Sequence, residues 1–93
     1  MSNIKQQQWH DFVELVRRAF AEGREEELLT LLLTSDERDA VGLRVKIVDA
    51  LLEKTLSQRE IQQKLNTSAA TITRGSNMLK TMSVDFVQWL QQR

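Results

Sequence analysis

Residues 57–80, SQREIQQKLNTSAATITRGSNMLK, leave little room for anything but two short helices joined by a tight turn. Ser57 and Glu60 make an S-x-x-E capping box, in which each side chain satisfies a backbone N–H that the helix start leaves unpaired. Ile61 and Leu65 follow on one face. Asn66-Thr67-Ser68 then breaks the pattern, and Asn tolerates the left-handed conformation that a sharp turn needs. Ser68 can cap a second helix whose Ile72, Gly75 and Leu79 face inward. This is the spacing of a helix-turn-helix, whose second helix can enter a DNA major groove. Spacing alone is a weak signal, because helical hairpins with capped ends are common.

The rest of the chain reads as helix too. Pro is absent, Gly occurs only at 23, 42 and 75, and Leu, Glu, Gln, Lys and Arg abound. A first helix is expected over 4–22, with Trp9, Phe12, Val13, Val16, Ala19 and Phe20 on one face and Gly23 as its stop. A second, 25–33, opens with Glu25-Glu26-Glu27 beside the positive end of its dipole and closes in LLLT, apolar nearly all round. Thr34 and Glu37 form another capping box, starting a helix over 36–53. There Val41, Val45, Val48 and Leu52 form a stripe that Ile47 and Leu51 widen. Ser83 can cap a last helix, 84–92, with Val84, Val87 and Leu90 inward. The fold class is therefore all-α, with six short helices.

Ninety-three residues allow one domain. Six amphipathic helices cannot all hide their apolar faces in a monomer of this size, so association with a second copy is expected. The first eight residues are polar, unlike a signal peptide, and are expected to be loosely held. No apolar run is long enough to span a bilayer. With no Cys there is neither disulfide nor thiolate metal site, which suits a cytoplasmic protein. The net charge of zero hides an asymmetry: residues 1–42 carry −4 and residues 43–93 carry +4. The surplus lies in 54–80, where Lys54, Arg59, Lys64, Arg74 and Lys80 face only Glu60. Positive charge of this kind replaces the counterions of nucleic-acid phosphates, or forms an ordinary solvated surface.

Catalytic machinery is nearly absent. His10 stands alone on the first helix, without a Cys, a second His or a nucleophile arrangement, and reads as a surface residue. The acidic runs at 25–27 and 36–37 are explained by dipole and capping roles, so neither an enzyme nor a metal site is expected. Trp9 and Trp89 read as core or subunit-contact residues. Arg44 borders the stripe of the third helix, where a long charged side chain reaches water or pairs with an acid. Arg74, next to Gly75, reads as a phosphate contact.

Two longer stretches add more. ATITRGSN (Ala70 to Asn77) with LSQREI (Leu56 to Ile61) resembles the helix-turn-helix of the bacterial Trp repressor family. LLLTSDERDAVGLRVKIVDALL (Leu31 to Leu52) resembles that family's central region, and the resemblance runs from about Gln8 to Leu90. It implies an interlocked homodimer, with 1–53 and 81–93 as dimer core and 57–80 as DNA reader in a single domain over 1–93. It also implies an L-tryptophan-activated repressor of tryptophan biosynthesis and uptake operons, with no other cofactor. Arg44 and Arg74 would then hold the indole between guanidinium planes. Arg74 and the Thr34 hydroxyl would take the carboxylate, and the carbonyls of Leu31 and Leu33 the ammonium, at the negative end of the second helix. Val48 would line the floor and Gly75 leave room. Met78 departs from the family's Ser, which helps the ammonium, so this contact should be weaker or shifted.

On the operator side the resemblance implies roles for Gln58, Arg59, Gln62, Ala69, Ala70, Thr71, Thr73, Arg74, Asn77 and Lys80. Arg59 would read a guanine edge or a phosphate, and Gln58 and Gln62 the backbone. Small residues at the start of the recognition helix allow a close approach through bridging waters, for which this family's operator complex is the standing example. Two-fold helix-turn-helix dimers, this family among them, meet major grooves roughly 34–36 Å apart. Gln62, Asn66 and Ala69 depart from the Lys, Gly and larger apolar residue familiar there, so base preference is open. The alternatives are a helix-turn-helix protein answering another ligand or none, and a helical adaptor that binds protein through its apolar faces.

Overall fold

A computed structural model describes residues 3–93 and consists of six helices. They are α1 (Asn3–Ala21), α2 (Glu25–Leu32), α3 (Ser35–Glu53), α4 (Gln58–Leu65), α5 (Ala69–Lys80) and α6 (Val84–Gln91). The all-α expectation holds, with boundaries within a residue or two. Residues 3–8, expected to be loosely held, already belong to α1; residues 1 and 2 lie outside the described part. The chain divides into two compact units, one ending at Arg38 and the other running Asp39–Arg93.

In the first unit, α1 ends where Gly23 turns with φ 72°, a left-handed value that glycine takes without a Cβ penalty. The amide of Arg24 then returns to the carbonyl of Ala19 at 2.7 Å. Ala19 is the buried residue of α1, while Phe12, Val13 and Val16 are half-buried. The expected apolar face is thus only partly covered: Trp9 is 66% and Phe20 73% exposed. Along α2, Leu31 is 79% exposed within this chain. Trp9 stacks obliquely on Phe12, with ring centroids 5.4 Å apart.

In the second unit, Ile47 of α3, Ile61 of α4 and Ile72 of α5 meet, each about 1% exposed. Leu43, Ala50, Leu51, Leu56 and Leu65 close around them. Within this chain the packed face of α3 is Leu43, Ile47, Ala50 and Leu51, which includes the Ile47 and Leu51 that widen the expected stripe, while Val41 and Val45 are exposed and Val48 and Leu52 half-buried. Both rows are apolar and the helix has two apolar sides; β-branched isoleucine between α4 and α5 takes the inner one. Gly75 lets α5 approach α3 closely, since a Cβ there would lie 3.1 Å from Cγ2 of Ile47. On α6 Val87 and Leu90 are half-buried, while Phe86 is 42% and Val84, at the first turn, 74% exposed, so Val84 is not inward within this chain. Trp89 is likewise exposed, stacked on Phe86, so neither tryptophan is a core residue of this chain.

Candidate nucleic-acid interface and ligand groove

Four side-chain caps fix the backbone around the basic segment and before it. At Ser57 the hydroxyl accepts the Glu60 amide at 3.1 Å and the Glu60 carboxylate accepts the Ser57 amide at 2.8 Å. Thr34 and Glu37 repeat this box at 3.1 and 2.8 Å. Backbone N–H groups donating to them hold the Glu37 and Glu60 carboxyls below the usual carboxylate range, with the capping hydroxyls adding to the effect. Ser68 caps α5 by accepting the Thr71 amide at 3.1 Å, and Ser83 caps α6 the same way through Phe86. Between α4 and α5, Asn66 adopts φ 52°, ψ 54°, the left-handed cap that the turn was expected to need. Ile61 and Ile72 then lock the two helices into one core. The helix-turn-helix is complete.

Around α5 three faces can be told apart. Ile72 and Gly75 look into the core. On one side Thr73, Ser76, Asn77 and Lys80, together with Gln58 and Lys54, line a cleft of about 520 Å³ whose other lining residues are apolar. Gln58 donates to the Thr73 hydroxyl at 3.2 Å, joining two of the expected DNA-contacting residues directly. Arg59, Ala69, Ala70 and Arg74 are exposed nearby in sequence, while Gln62 and Thr71 are half-buried. Among the described residues, Arg59, Arg74 and Lys80 have no acidic partner within ion-pair distance. Ser76 is a cleft residue that the sequence reading missed, and Lys54, counted there only as part of the basic surplus, lines the same cleft. Ser76 carried a signal, lying three residues after Thr73 and four before Lys80 on one helix.

On the other side of α5 runs an apolar groove of about 670 Å³. Arg44, Val48, Arg74, Gly75 and Met78, five of the residues expected to surround a ligand, line it together. Leu43, Ile47, Leu79, Met82, Phe86 and Leu90 make its greasy walls, and no acid is among its lining residues. Arg93, which also reaches it, is paired with Asp49 and donates to the Leu90 carbonyl. Arg44 has no such pairing among the described residues and is exposed, which is the water-reaching one of the two alternatives expected for it. Gly75 lines the groove and also makes room for Ile47, whose Cγ2 would lie 3.1 Å from a Cβ there.

The other three expected ligand residues belong to the first unit. Thr34 spends an acceptor pair on its capping box, which leaves its hydroxyl hydrogen free to donate. The carbonyl of Leu33 accepts Nη1 of Arg38 at 2.9 Å, and that guanidinium also reaches the Thr30 carbonyl at 3.3 Å. The unpaired carbonyls at the end of α2 are thus already partly served by a cation.

A capped helix-turn-helix whose recognition helix has a basic polar stripe on one side and a groove with two guanidiniums on the other defines a DNA-binding regulator. Residues 7–93 match the family model of the Trp repressor protein, and the chain belongs to that family. It is 66% identical over 87 residues to a Trp operon repressor homolog of Pasteurella multocida, covering 94% of this chain and 85% of that protein. A homolog of the same name in Histophilus somni (strain 2336) is 66% identical over 94% of this chain and 82% of its own length. Another, in Haemophilus influenzae (strain PittEE), is 63% identical over 92% and 85%. Membership of a repressor family makes the chain a regulator rather than an enzyme. No helix among the described residues is long and apolar enough to cross a membrane.

Proposed function

We propose that this chain is a transcriptional repressor that binds operator DNA when L-tryptophan occupies the groove between α3 and α5. The reading extends to tryptophan biosynthesis and uptake operons as its targets, and to a cytoplasmic homodimer as its working form. The observation that carries it is the pair of unpartnered guanidiniums, Arg44 and Arg74, on an otherwise apolar groove directly behind the DNA-facing stripe. A flat aromatic ring suits the walls and the faces of two guanidinium planes, and a carboxylate suits their charge. Thr34 and the end carbonyls of α2 at Leu31 and Leu33 are the remaining polar partners in this reading. The exposed apolar side chains of α1, α2 and the Val41–Val45 row support association with a second copy.

A ligand shifts an equilibrium only by its differential affinity for the two states. The bound amino acid touches Arg74 on α5 and Arg44 on α3, so it favours one placement of the recognition helix. The test is duplex binding followed by fluorescence anisotropy, on an operator selected from a random library, with and without L-tryptophan. Affinity should rise at least about tenfold with the amino acid, within the usual range of coupling between two sites. Met78, exposed on the groove where a hydroxyl would suit an ammonium, motivates a second reading, in which another ligand or none controls DNA binding. DNA binding that ignores L-tryptophan would select it.

A further inference from the structure

Lys54 follows the last residue of α3 with φ 59°, one of two non-glycine residues with positive φ in the described chain. The other, Asn66, is of a residue type that tolerates this region through its short polar side chain; lysine has no such compensation. Strain of this kind persists where the surroundings or the function require the residue. Lys54 lines the cleft of about 520 Å³ with Gln58, Thr73, Ser76, Asn77 and Lys80. The cleft has an apolar floor of Ala50, Leu51, Leu56, Ile61 and Ile72, and around it stand two ammonium groups, four neutral hydrogen-bonding side chains and no acid. Glu53, its chain neighbour, lines a different hollow with Asp49, Leu52 and Arg93. Neither Lys54 nor Lys80 has an acidic partner within ion-pair distance among the described residues.

We infer that Lys54 is a DNA-backbone contact, its ammonium acting with that of Lys80 on a phosphodiester lodged at the mouth of this cleft. The inference rests on the DNA-binding reading above. The polar stripe of α5 and Gln58 of α4 open into the same cleft, so a strand laid along the recognition helix brings a phosphate there. A left-handed position is one that glycine occupies without cost, and at this point the chain instead carries a charge. The charge serves affinity and register, without reading bases.

The test uses the full chain on its selected duplex, with saturating L-tryptophan, from 50 to 400 mM KCl. Lys54→Gly should lower the slope of log affinity against log salt by about 0.9 for each phosphate that the variant no longer neutralises. Its melting temperature should hold or rise, because glycine relieves the left-handed backbone, so weaker binding cannot be blamed on misfolding. Lys54→Arg should keep the wild-type slope. A wild-type slope in Lys54→Gly overturns the inference while leaving the DNA reading intact. A wild-type chain without salt-dependent duplex binding overturns both. Calorimetric titration with inorganic phosphate alone separates a free-anion site: heat seen in the wild type and absent in Lys54→Gly, with the duplex slope unchanged, overturns the DNA assignment.

Discussion

Replacing Gly75 by alanine sets two known effects against each other. A helix interior gains about 1 kcal/mol when glycine becomes alanine. The new methyl, however, would sit 3.1 Å from Cγ2 of Ile47, closer than carbon atoms comfortably approach, with Cδ1 of Leu51 at 4.0 Å. Ile47 is about 1% exposed, β-branched and wedged among Ile61 and Ile72, so it cannot swing aside. Overpacking of this kind costs roughly 1–3 kcal/mol. The net expectation is a loss of about 1 kcal/mol, or a fall in Tm of roughly 4–8 °C for a domain of this length. Thermal unfolding followed by circular dichroism, at one fixed protein concentration because an associating chain melts by mass action, measures it. The double variant Gly75→Ala/Ile47→Leu removes the offending branch methyl. It should be more stable than the sum of the single changes by at least about 0.5 kcal/mol. A Gly75→Ala chain that melts above the wild type, or a double variant with no coupling, would refute the close-approach argument.

Arg44→Leu should abolish L-tryptophan binding in calorimetry while leaving weak, tryptophan-independent DNA binding, whereas Arg74→Leu should damage both; unchanged tryptophan affinity in Arg44→Leu would remove the stacking role. Asn66→Ala should cost about 1 kcal/mol because alanine resists the left-handed cap, and Asn66→Gly should be tolerated, as read by chemical denaturation. The Glu60 carboxyl is held below its ordinary value of 4.5, so its contribution is present above that pH and lost as pH falls through the depressed folded value. The Tm gap between wild type and Glu60→Gln should therefore be constant above about pH 5 and close in stronger acid, where protonated Glu resembles Gln. A gap that persists in strong acid contradicts the capping account.

The helix-turn-helix was legible because its signals are local. Ser57, Glu60 and Ser68 accept amides three residues from themselves, and Asn66 supplies the left-handed cap whose own amide returns to the Gln62 carbonyl. The α3 register was not legible in this way. Val41-Val45-Val48 and Leu43-Ile47-Leu51 are both apolar rows at helical spacing, and only the arrival of Ile61 and Ile72 decides which is packed. Val84 misled for a similar reason, since a helix of eight residues offers two equally good choices of inward face. The groove was legible through resemblance rather than spacing: nothing in the separation of Arg44 from Arg74 brings them to one hollow until α3 and α5 cross at Gly75. The charge of Lys54 was legible as part of the basic surplus, but its left-handed backbone was not.

Under the proposed function, the geometry of α5 limits how signal can pass from ligand to DNA. Its twelve residues carry the groove residues Arg74 and Met78, the core residues Ile72 and Gly75, and the cleft residues Thr73, Asn77 and Lys80 within about three turns. A helix of that length moves as a rod, so a ligand that fixes the groove face also fixes the cleft face. What resists the motion in the empty state is a core of only three fully buried side chains. A small core permits sub-global motion at modest cost, which is the condition for a ligand of a few hundred daltons to bias it. Coupling also runs in reverse by linkage, so operator DNA should tighten L-tryptophan binding by the factor by which L-tryptophan tightens operator binding. Enlarging that core would weaken both together, because a recognition helix already held in place leaves the ligand nothing to shift.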